Sequence, residues 1–455
     1  MSNVLLVFPD KFIHNFFEKN SNYYYLNNNG WWKYDLDKKK RINIPLSDIM
    51  INWENSIDPS EIYKKLDAKS LEPKSVNIIN DEIIIYKEVG PYIETSKNIG
   101  RTARILTQTA PDNIERFNIT SIDKGIGVSN VSILRKDIEN LASFIGSPEE
   151  VLSNTKITEP GKVNHPKKND RITPKFNFAI FPDLITHFGS SKDDHFKADF
   201  NIIAAANVKL TNNLRLNAEV KQHLIGDLDL IPVSTNADVP HVRSDVGLYS
   251  KEGTTSIKRI TAEYNTSPLQ NVYTRLTVGH LEEMYSGISG EILYQSFASN
   301  VALGLDINYV KQRGYDQLFS MKDYQTVTGH ATAYYVNKNY DITTKVSVGR
   351  YLARDWGTTI DISREFDSGI RIGAMATFTN MSDSNYGEGS FDKGIYMTIP
   401  FEFFWMQQSR ERANFKVRRL GKNGGQKIDH KTTLFDILHQ SQPYKIRNNW
   451  NKIVD

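Results

Sequence analysis

The strongest constraint on the fold is an alternation of apolar and polar residues that begins near residue 174 and continues to residue 405 of this 455-residue chain. A period of two residues is typical of β-strands, because successive side chains point to opposite faces of a sheet. The clearest examples are residues 214–220, 301–309, 342–348 and 395–403. We predict about twelve to fourteen strands of about 9 to 15 residues, much longer than the roughly five or six residues of an average strand.

The connections between these strands alternate in length. Short polar turns are predicted at 212–213, 337–339 and 367–369, and longer loops at 226–240, 314–325 and 382–390. Short turns at one end and long loops at the other are typical of membrane barrels. We therefore predict a mainly β protein, an antiparallel transmembrane β-barrel at 174–405, with a soluble β-sandwich or propeller as the alternatives.

The composition is compatible with a membrane barrel. A mean hydropathy of −0.47 is low, but alternating strands average to a polar mean. No run approaches the roughly 18 apolar residues of a membrane helix. The chain has no cysteine, which excludes disulfides, thiolate metal sites and a lipid-modified cysteine in the sequence as written. A net charge of +3 does not predict a nucleic-acid partner.

Three segments precede the predicted barrel. Residues 1–95 form a mixed N-terminal segment, with a helix start at 58–61 and a short strand at 82–86. Residues 96–157 are predicted to form a small α/β unit, in which Pro111 ends one helix and Ser147 begins a capping box. Residues 158–173 are polar and are predicted to be a linker. The first residues do not form a typical signal peptide, because Asp10 and Lys11 directly follow a short apolar run.

The polar positions of the predicted strands carry charges of both signs. In a closed barrel they face the lumen, where water and paired charges satisfy them, whereas in an open sheet they form a solvated face. No sign dominates, so a general anion or cation pore is not indicated. For His330 a hydrogen-bonded structural role is the simpler interpretation. The candidates for ligand contact in the lumen are Arg215, Glu219, Lys221, Arg275, Asp306, His330, Tyr334, Lys345, Asp361 and Arg371.

Residues 406–455 form a basic C-terminal extension, with eleven Lys and Arg residues and four Asp and Glu residues. Such a segment could bind acidic headgroups or an acidic polymer, but a solvated extension is the more common outcome and the one we predict. The apolar residues between Leu434 and Leu438 form a short amphipathic piece that could dock on the barrel.

No motif predicts catalysis, and we expect no enzyme activity, no metal and no cofactor. The histidines are scattered and lack metal-ligand spacing, and residues 287–290 do not form a nucleophile elbow. Glu282, Glu283 and Glu291 are the best carboxylate cluster. Because Glu282 and Glu283 are adjacent on what we predict to be a strand, they should point to opposite faces and could not flank a glycosidic bond.

Several long runs resemble the YjbH/GfcD family of outer-membrane proteins. They include NVYTRLTVGHLEEMYSGISGEILYQ from Asn271, KVSVGRYLARDWGTTIDISREFDSGIRIGAMATFTN from Lys345 and GEGSFDKGIYMTIPFEFF from Gly387. The resemblance extends to VPHVRSDVGLY from Val239 and to the shorter GRTARIL from Gly100. It implies an outer-membrane β-barrel with a periplasmic α/β region that takes part in exopolysaccharide and group 4 capsule production in Gram-negative bacteria.

The chain departs from the family pattern at its N-terminus. Family members are longer and usually carry an export signal, often of the lipoprotein type, and a further β-rich barrel region. We therefore expect a split gene, a misassigned start or a shorter variant, and a separate chain is a candidate to supply the missing barrel.

The resulting hypothesis is a barrel in the cell outer membrane, with its N-terminal part in the periplasm, that helps a polysaccharide cross or assemble at the membrane. The ten lumen candidates would then contact the polysaccharide, and the expected partners are outer-membrane lipid and other export proteins. One alternative is a plugged structural barrel that anchors the periplasmic domains of an export complex. A polysaccharide-modifying enzyme is the other.

Overall fold

The computed structural model describes residues 59–161, 175–188, 196–233, 238–382, 385, 391–403, 409–418, 420 and 422–455, together with the backbone of four strands between residues 15 and 44. These four strands form an antiparallel sheet in chain order. They are β1 (Asn15–Lys19), β2 (Asn22–Asn27), β3 (Gly30–Asp35) and β4 (Lys40–Ile44). Most of the predicted linker lies outside the described residues.

An α/β unit follows from residue 59. Its sheet has the order β5-β6-β7-β8-β9, in which β6 and β7 are parallel and the other pairs are antiparallel. The elements are α1 (Ser60–Asp67), β5 (Pro73–Ile79), β6 (Glu82–Glu88), α2 (Thr95–Thr109), β7 (Arg116–Asp123), β8 (Ile126–Leu134), α3 (Arg135–Ala142), α4 (Pro148–Asn154) and β9 (Lys156–Thr158). The helix α2 connects β6 to β7, because parallel strands need a crossover. The unit thus includes elements before residue 96, where the sequence analysis placed its start.

The third and largest sheet contains thirteen strands in chain order, each antiparallel to the next. They are β10 (Lys175–Phe188), β11 (Phe196–Lys209), β12 (Leu214–Gly226), β13 (Thr255–Leu269), β14 (Val272–His280), β15 (Tyr285–Tyr294), β16 (Val301–Arg313), β17 (Met321–Asn337), β18 (Ile342–Arg350), β19 (Trp356–Glu365), β20 (Arg371–Thr379), β21 (Asp392–Pro400) and β22 (Arg412–Arg418). The last strand lies in the segment that was predicted to be a C-terminal extension.

The first and last strands of this sheet meet, so the sheet is a nearly closed barrel. Thr186 Oγ1 donates to the carbonyl oxygen of Lys416 at 3.0 Å, and the amide of Leu420 donates to His187 Nδ1 at 3.0 Å. Because the number of strands is odd, β10 and β22 run in the same direction. The predicted barrel and its strand number are confirmed, and the sandwich and propeller alternatives are not.

The two faces of the barrel wall differ as the alternation predicts. On β16, Leu303 and Ile307 are each 55% exposed, whereas Ala302 and Asn308 are each 2% exposed. The same alternation of exposed apolar and buried polar side chains recurs on β14, β15 and β17. The barrel therefore presents an apolar belt outward and polar side chains to its lumen.

The strand connections define two ends of the barrel. The loop end carries the connections 227–254, 281–284, 314–320, 351–355 and 380–391, and the turn end carries 210–213, 270–271, 295–300, 338–341, 366–370 and 401–411. The α/β unit lies at the turn end, where Glu88 contacts Lys209 and Lys124 Nζ lies 3.8 Å from Glu263 Oε1. The long loop-end connection 227–254 contains a 3₁₀ turn (Leu228–Leu230) and α5 (Val246–Glu252).

After β22 the chain forms α6 (Leu434–His439), α7 (Pro443–Asn448) and a 3₁₀ turn (Trp450–Val454). A further 3₁₀ turn (Phe401–Phe403) follows β21. Within the part of the chain that the structure describes, no helix combines the length and the apolar run that crossing a bilayer requires.

Candidate functional site

The C-terminal segment, which we define as residues 422–455, passes through the lumen of the barrel. It enters at the loop end, where the amide of Gly425 donates to Asp355 Oδ2 at 2.8 Å. Its later contacts run, in chain order, from the loop end to the turn end of the lumen. From first to last they are Gln426 with Asp392, Lys431 with Glu219, Thr432 with Arg275, Phe435 with Tyr334, Asp436 with Arg371, Gln440 with Glu365 and Lys445 with Asp341. The prediction of a solvated extension is therefore wrong, because the partners of this segment lie on strands far away in sequence.

The helix α6 is the apolar centre of the segment. Thr433 and Asp436 form a capping box that begins the helix. The ring of Phe435 stacks on that of Tyr334, with centroids 4.3 Å apart and planes at 10°. The apolar cluster around them joins the helix, the barrel wall and the α/β unit, through Val89, Ile126, Val128, Tyr273, Leu293, Ala302, Val336, Leu434, Ile437 and Leu438. Each buried side chain of this kind contributes roughly 1.5–3 kcal/mol, so apolar packing adds to the charged contacts that hold the segment.

A buried carboxylate at the turn end ties three strands to the C-terminal segment. Glu365 accepts hydrogen bonds from Arg371 Nη2 at 2.8 Å and from Gln440 Nε2 at 2.8 Å. Arg412 Nη1 and Lys445 Nζ each lie 3.3 Å from the same carboxylate. Because removal of one partner leaves buried charges uncompensated, such a cluster fixes the relative position of its members.

A second carboxylate holds the start of α6 in the middle of the lumen. Glu291 Oε2 lies 2.7 Å from Arg275 Nη2, and Glu291 Oε1 accepts from the amide of Leu434 at 3.0 Å. Arg275 also donates to the carbonyl oxygen of Thr432. The two residues therefore form an ion pair with each other, and each also bonds to the backbone at the N-terminus of the helix.

The last residues of the segment form part of the core of the α/β unit. Ile446, Trp450 and Ile453 are buried in the apolar cluster that contains the face of α2. Ser96 Oγ donates to the carbonyl oxygen of Asn449 at 2.6 Å. The segment therefore joins the α/β unit to the barrel through the lumen, in addition to the chain connection before β10.

The loop end is covered by the connection 227–254. Tyr249 donates a hydrogen bond of 2.6 Å to the carbonyl oxygen of Arg313, and Arg243 Nη1 lies 2.7 Å from Glu282 Oε1. An apolar cluster beneath it includes Ile428 of the C-terminal segment. Both the mouth and the lumen are thus occupied by this chain.

All ten predicted lumen residues lie at the inward-facing positions of their strands. Five of them contact the C-terminal segment rather than a free lumen. Lys345 Nζ lies 5.8 Å from the ring centroid of Phe435, and Arg371 Nη1 lies 3.7 Å from Asp436 Oδ1. The other three are Glu219, Arg275 and Tyr334, whose contacts are given above.

The remaining five have partners in the barrel wall or the α/β unit. Arg215 Nη2 lies 3.5 Å from Glu88, and Lys221 Nζ lies 3.4 Å from Glu283. Asp306 and His330 are partners of each other at 3.4 Å, and Asp361 accepts from Tyr396 at 2.9 Å. The structure does not bring the ten residues together into one site, and their contact with a polysaccharide stays a prediction.

The candidate carboxylates have a different backbone position from the predicted one. Glu282 and Glu283 lie in the 281–284 connection between β14 and β15, not on a strand, so strand alternation does not separate them. Each has cationic partners, as does Glu291. Glu283 lies 3.4 Å from Lys221 and 3.9 Å from Lys258. Among the described residues, no group of three or more His, Asp or Glu side chains is arranged to hold a metal ion.

The junction of the α/β unit with the barrel buries titratable groups. Burial would raise the pKa of Glu88, but the cations of Lys209, Arg215 and Lys74 hold that pKa below its usual range. Burial lowers the pKa of the adjacent Lys87 to about 7, although nearby carboxylates oppose the shift. Lys87 Nζ donates to the carbonyl oxygen of Glu88 at 2.6 Å. The junction therefore fixes the α/β unit on the turn end through charges that water does not screen.

Several residues that organise the lumen are not among the ten predicted lumen contacts. Glu365 lies at an inward position, but only the structure shows its three cationic partners. The spacing of Thr433 and Asp436 before an apolar run was a local signal for α6. No local sequence pattern predicts that Lys445 or Arg412 lies in the lumen.

The family model YjbH, described as "Exopolysaccharide biosynthesis protein YbjH", matches residues 32–440. The chain belongs to this family. A relative from Escherichia coli (strain K12), named "Uncharacterized lipoprotein YjbH", is 30% identical over 384 residues, which are 82% of this chain and 54% of the relative. This chain thus spans about half the length of that relative.

Two solved outer-membrane proteins show a weak likeness. OmpT of Vibrio cholerae with loop L8 deleted is 10% identical, with a TM-score of 0.25, over 50% of this chain and 86% of that chain. OmpF of Salmonella typhi in complex with daunomycin is 11% identical, with a TM-score of 0.27, over 50% of this chain and 85% of that chain. These scores carry no argument, and the barrel rests on the strand pairing described above.

Proposed function

We propose that this protein is an outer-membrane component of exopolysaccharide production, in which a nearly closed barrel anchors the α/β unit at the membrane. The family match supports a role in exopolysaccharide production. The apolar belt of the barrel supports insertion in a bilayer, and its nearly closed set of strands can satisfy the backbone hydrogen bonds there. The observation that carries the anchoring role is the C-terminal segment, which fills the lumen and ends in the core of the α/β unit.

In this proposal the turn end and the α/β unit face the periplasm, since outer-membrane barrels carry their short turns on that side. The α/β unit is then held at a fixed place beneath the barrel, where it can bind other proteins of an export complex. Two attachments fix it, the charged junction at Glu88 and the docked residues around Trp450. The polysaccharide itself would pass through another component.

A conduit is the second candidate, and one observation favours it. Some charged side chains inside the barrel are partly exposed to water, including Lys431 at 43%, Asp436 at 32% and Asp306 at 25%. Water-accessible space therefore remains beside the C-terminal segment. A polysaccharide could use that path only if α6 left the lumen.

We propose no catalytic step for this chain. The best carboxylates, Glu282, Glu283 and Glu291, each form ion pairs with buried cations, and such pairs serve the packing of the lumen. Incubation of the matching polymer with the protein should release no new reducing ends. Release that disappears on Glu291→Gln would support the enzyme alternative instead.

Conductance across a planar bilayer separates the anchor from the conduit. The wild-type protein should insert and pass a much smaller steady ion current than an open barrel, because the C-terminal segment fills most of its lumen. A double variant, Leu434→Ala with Phe435→Ala, removes apolar packing of α6 while it leaves the docked residues 443–455 intact, and it should show openings. A steady current through the wild-type protein as large as that through the double variant would contradict a lumen filled by the C-terminal segment.

Production of exopolysaccharide tests the same distinction in cells. The variant Tyr334→Cys with Phe435→Cys replaces two stacked rings by thiols that lie close together, in a chain without other cysteines. An anchor with α6 locked to the wall by a short thiol cross-linker should support full production in a strain that lacks the native protein. A conduit should lose production on cross-linking. The matched control, Tyr335→Cys with Phe435→Cys, uses the adjacent residue, which is exposed on the outer face.

A further inference from the structure

One strand of the barrel wall extends past its neighbour at the loop end. Strand β17 begins at Met321, but its pairing with β18 begins only at Gly329, which lies opposite Arg350. In the described part of the chain, residues 321–328 therefore have a strand partner on one side only, namely β16. Backbone carbonyls on such an edge need donors from another source.

Two arginine side chains supply these donors. Arg350 Nη1 donates to the carbonyl oxygen of Val327 at 3.1 Å, and Arg354 Nη2 donates to that of Gln325 at 3.2 Å. A guanidinium carries five N–H groups, so each side chain retains further donors. Among the described residues, no carboxylate oxygen lies within 4.0 Å of a guanidinium nitrogen of either arginine, which is the longest distance of an ion pair. The two positive charges are thus anchored but not neutralised.

The anchoring limits how far apart the two guanidinium groups can lie. Gln325 and Val327 are two residues apart on one strand, so their carbonyl oxygens are about 7 Å apart. Arginine binds phosphate through paired N–H groups, with N···O distances of about 2.8 Å. Two guanidinium groups at this spacing can therefore both face one tetrahedral anion that lies between them.

The pair lies at the edge of the apolar belt on the outside of the barrel. Arg350 is paired with Trp356, which is 58% exposed. Val348, the next outward residue on β18, and Val327 on β17 are exposed apolar side chains. Tryptophan is enriched at the level of lipid headgroups, so this position is where a membrane surface meets the barrel wall.

The backbone of Arg354 is held in an unusual conformation. Its φ is +69°, a left-handed region that favours glycine, and its amide donates to the carbonyl oxygen of Tyr351 at 3.1 Å. The guanidinium lies 5.3 Å from the ring centroid of Tyr324. An arginine at a position that suits glycine places a fixed charge beside Arg350 at the cost of backbone strain.

We propose that Arg350 and Arg354 bind the phosphate monoester of a lipid headgroup in the leaflet at the loop end. This inference rests on the membrane insertion of the proposed function. A lipid phosphate fits better than a free polymer because Arg350 lies at an outward position of β18, beside Trp356 and the apolar belt, and Arg354 lies next to it at the rim of the barrel. Asp323, an exposed carboxylate near the start of β17, reduces the net positive charge beside the site but forms no ion pair with either arginine.

Native mass spectrometry of the full chain tests the proposal. The protein is released from micelles that contain equal amounts of phosphatidic acid, phosphatidylglycerol and phosphatidylcholine, of which only the first carries a phosphate monoester. The wild-type protein should retain phosphatidic acid preferentially. The variant Arg350→Gln with Arg354→Gln should lose that preference by about tenfold or more, since charge-assisted contacts to two guanidinium groups disappear. Equal retention by the variant would overturn the proposal.

Three further variants exclude indirect effects. Arg354→Gly relieves the left-handed strain, so it should fold at least as well as the wild type and still lose the lipid. Arg350→Lys with Arg354→Lys keeps the charge without the planar donors, and full affinity in that variant would contradict the paired geometry. The matched control is Arg364→Gln, since Arg364 lies over the ring of Phe366 at the turn end and should not affect retention.

Three outcomes identify which step fails. If inorganic phosphate at the same concentration binds as well as phosphatidic acid, the ligand is a free anion and the assignment to a lipid is wrong. If the wild-type protein does not float with phosphatidylcholine vesicles in a density gradient, the membrane insertion itself is wrong. If it floats and the glutamine variant still prefers phosphatidic acid, only the arginine site is wrong.

Discussion

A single added methyl group at Gly100 tests whether the C-terminal segment docks on the α/β unit as described. Gly100 lies in α2, directly under the 3₁₀ turn at Trp450–Val454. A Cβ at this position would lie 2.8 Å from Ile453 Cγ1 and 2.9 Å from the carbonyl carbon of Ile453, and closer still to its carbonyl oxygen. Since the obstacle is backbone, a change of side-chain rotamer cannot relieve it.

The expected effect of Gly100→Ala on stability is opposite in sign to that of the same substitution in an exposed helix. In an exposed helix, Gly→Ala stabilises by about 1 kcal/mol, because alanine loses less conformational entropy. Overpacking a buried contact costs about 1–3 kcal/mol. We therefore expect Gly100→Ala to destabilise the α/β unit by about 1–2 kcal/mol, or to displace the last residues of the chain.

Urea unfolding of the full chain in detergent micelles gives the change in free energy of unfolding, and hydrogen exchange at residues 446–454 reports the docking. The control is the same substitution in a chain that ends at Lys452, where the obstacle is absent. There Gly100→Ala should stabilise by up to about 1 kcal/mol, so the two backgrounds should differ in sign. Stabilisation of the full chain, with residues 446–454 still protected from exchange, would refute the docking.

Three further predictions concern packing and charge. Phe435→Ala should cost about 3–5 kcal/mol of unfolding free energy, whereas Phe176→Ala on the outer face should leave it nearly unchanged in the same micelles. Glu365→Gln should cost about 3–5 kcal/mol and speed hydrogen exchange in α7, because buried Lys445 and the partly buried Arg371 and Arg412 lose their carboxylate; unchanged exchange would argue against the cluster. Burial lowers the pKa of Lys87 to about 7 from its usual 10.5, so the unfolded chain holds a proton that the folded chain lacks between these values. Stability should rise with pH across this window, and Lys87→Met should be more stable than the wild type at pH 7 and lose that advantage towards pH 10. A constant difference between the two proteins would contradict the burial of Lys87.

The barrel could be predicted because its signal is local. Each strand places one face in an apolar belt and the other in the lumen, so the period of two is present in every strand, as on β16. The same alternation exists in Ala413, Phe415 and Val417 of β22, but the basic residues between them resemble a solvated extension. The sequence alone does not distinguish a charged residue that faces the lumen from one in a solvated tail, because the difference lies in its partner.

The content of the lumen could not be predicted for the opposite reason. Residues 422–433 have no period of two or of 3.6, and their position depends on the direction in which the chain leaves β22. Their partners are remote, as in the hydrogen bond from Leu434 to Glu291. The start of the α/β unit could not be predicted for a similar reason, since no local sequence pattern in β6 or β7 shows that the two strands pair in parallel.

The most direct test of the account is whether α6 lies inside the barrel of the membrane-inserted protein. The variant Tyr334→Cys with Phe435→Cys should be joined rapidly by a short thiol cross-linker, and digestion should then yield a peptide that links β17 to α6. The variant Tyr335→Cys with Phe435→Cys should not be joined, because Tyr335 faces outward across the barrel wall. Joining of the second pair as readily as the first, or of neither pair, would contradict a C-terminal segment that fills the lumen.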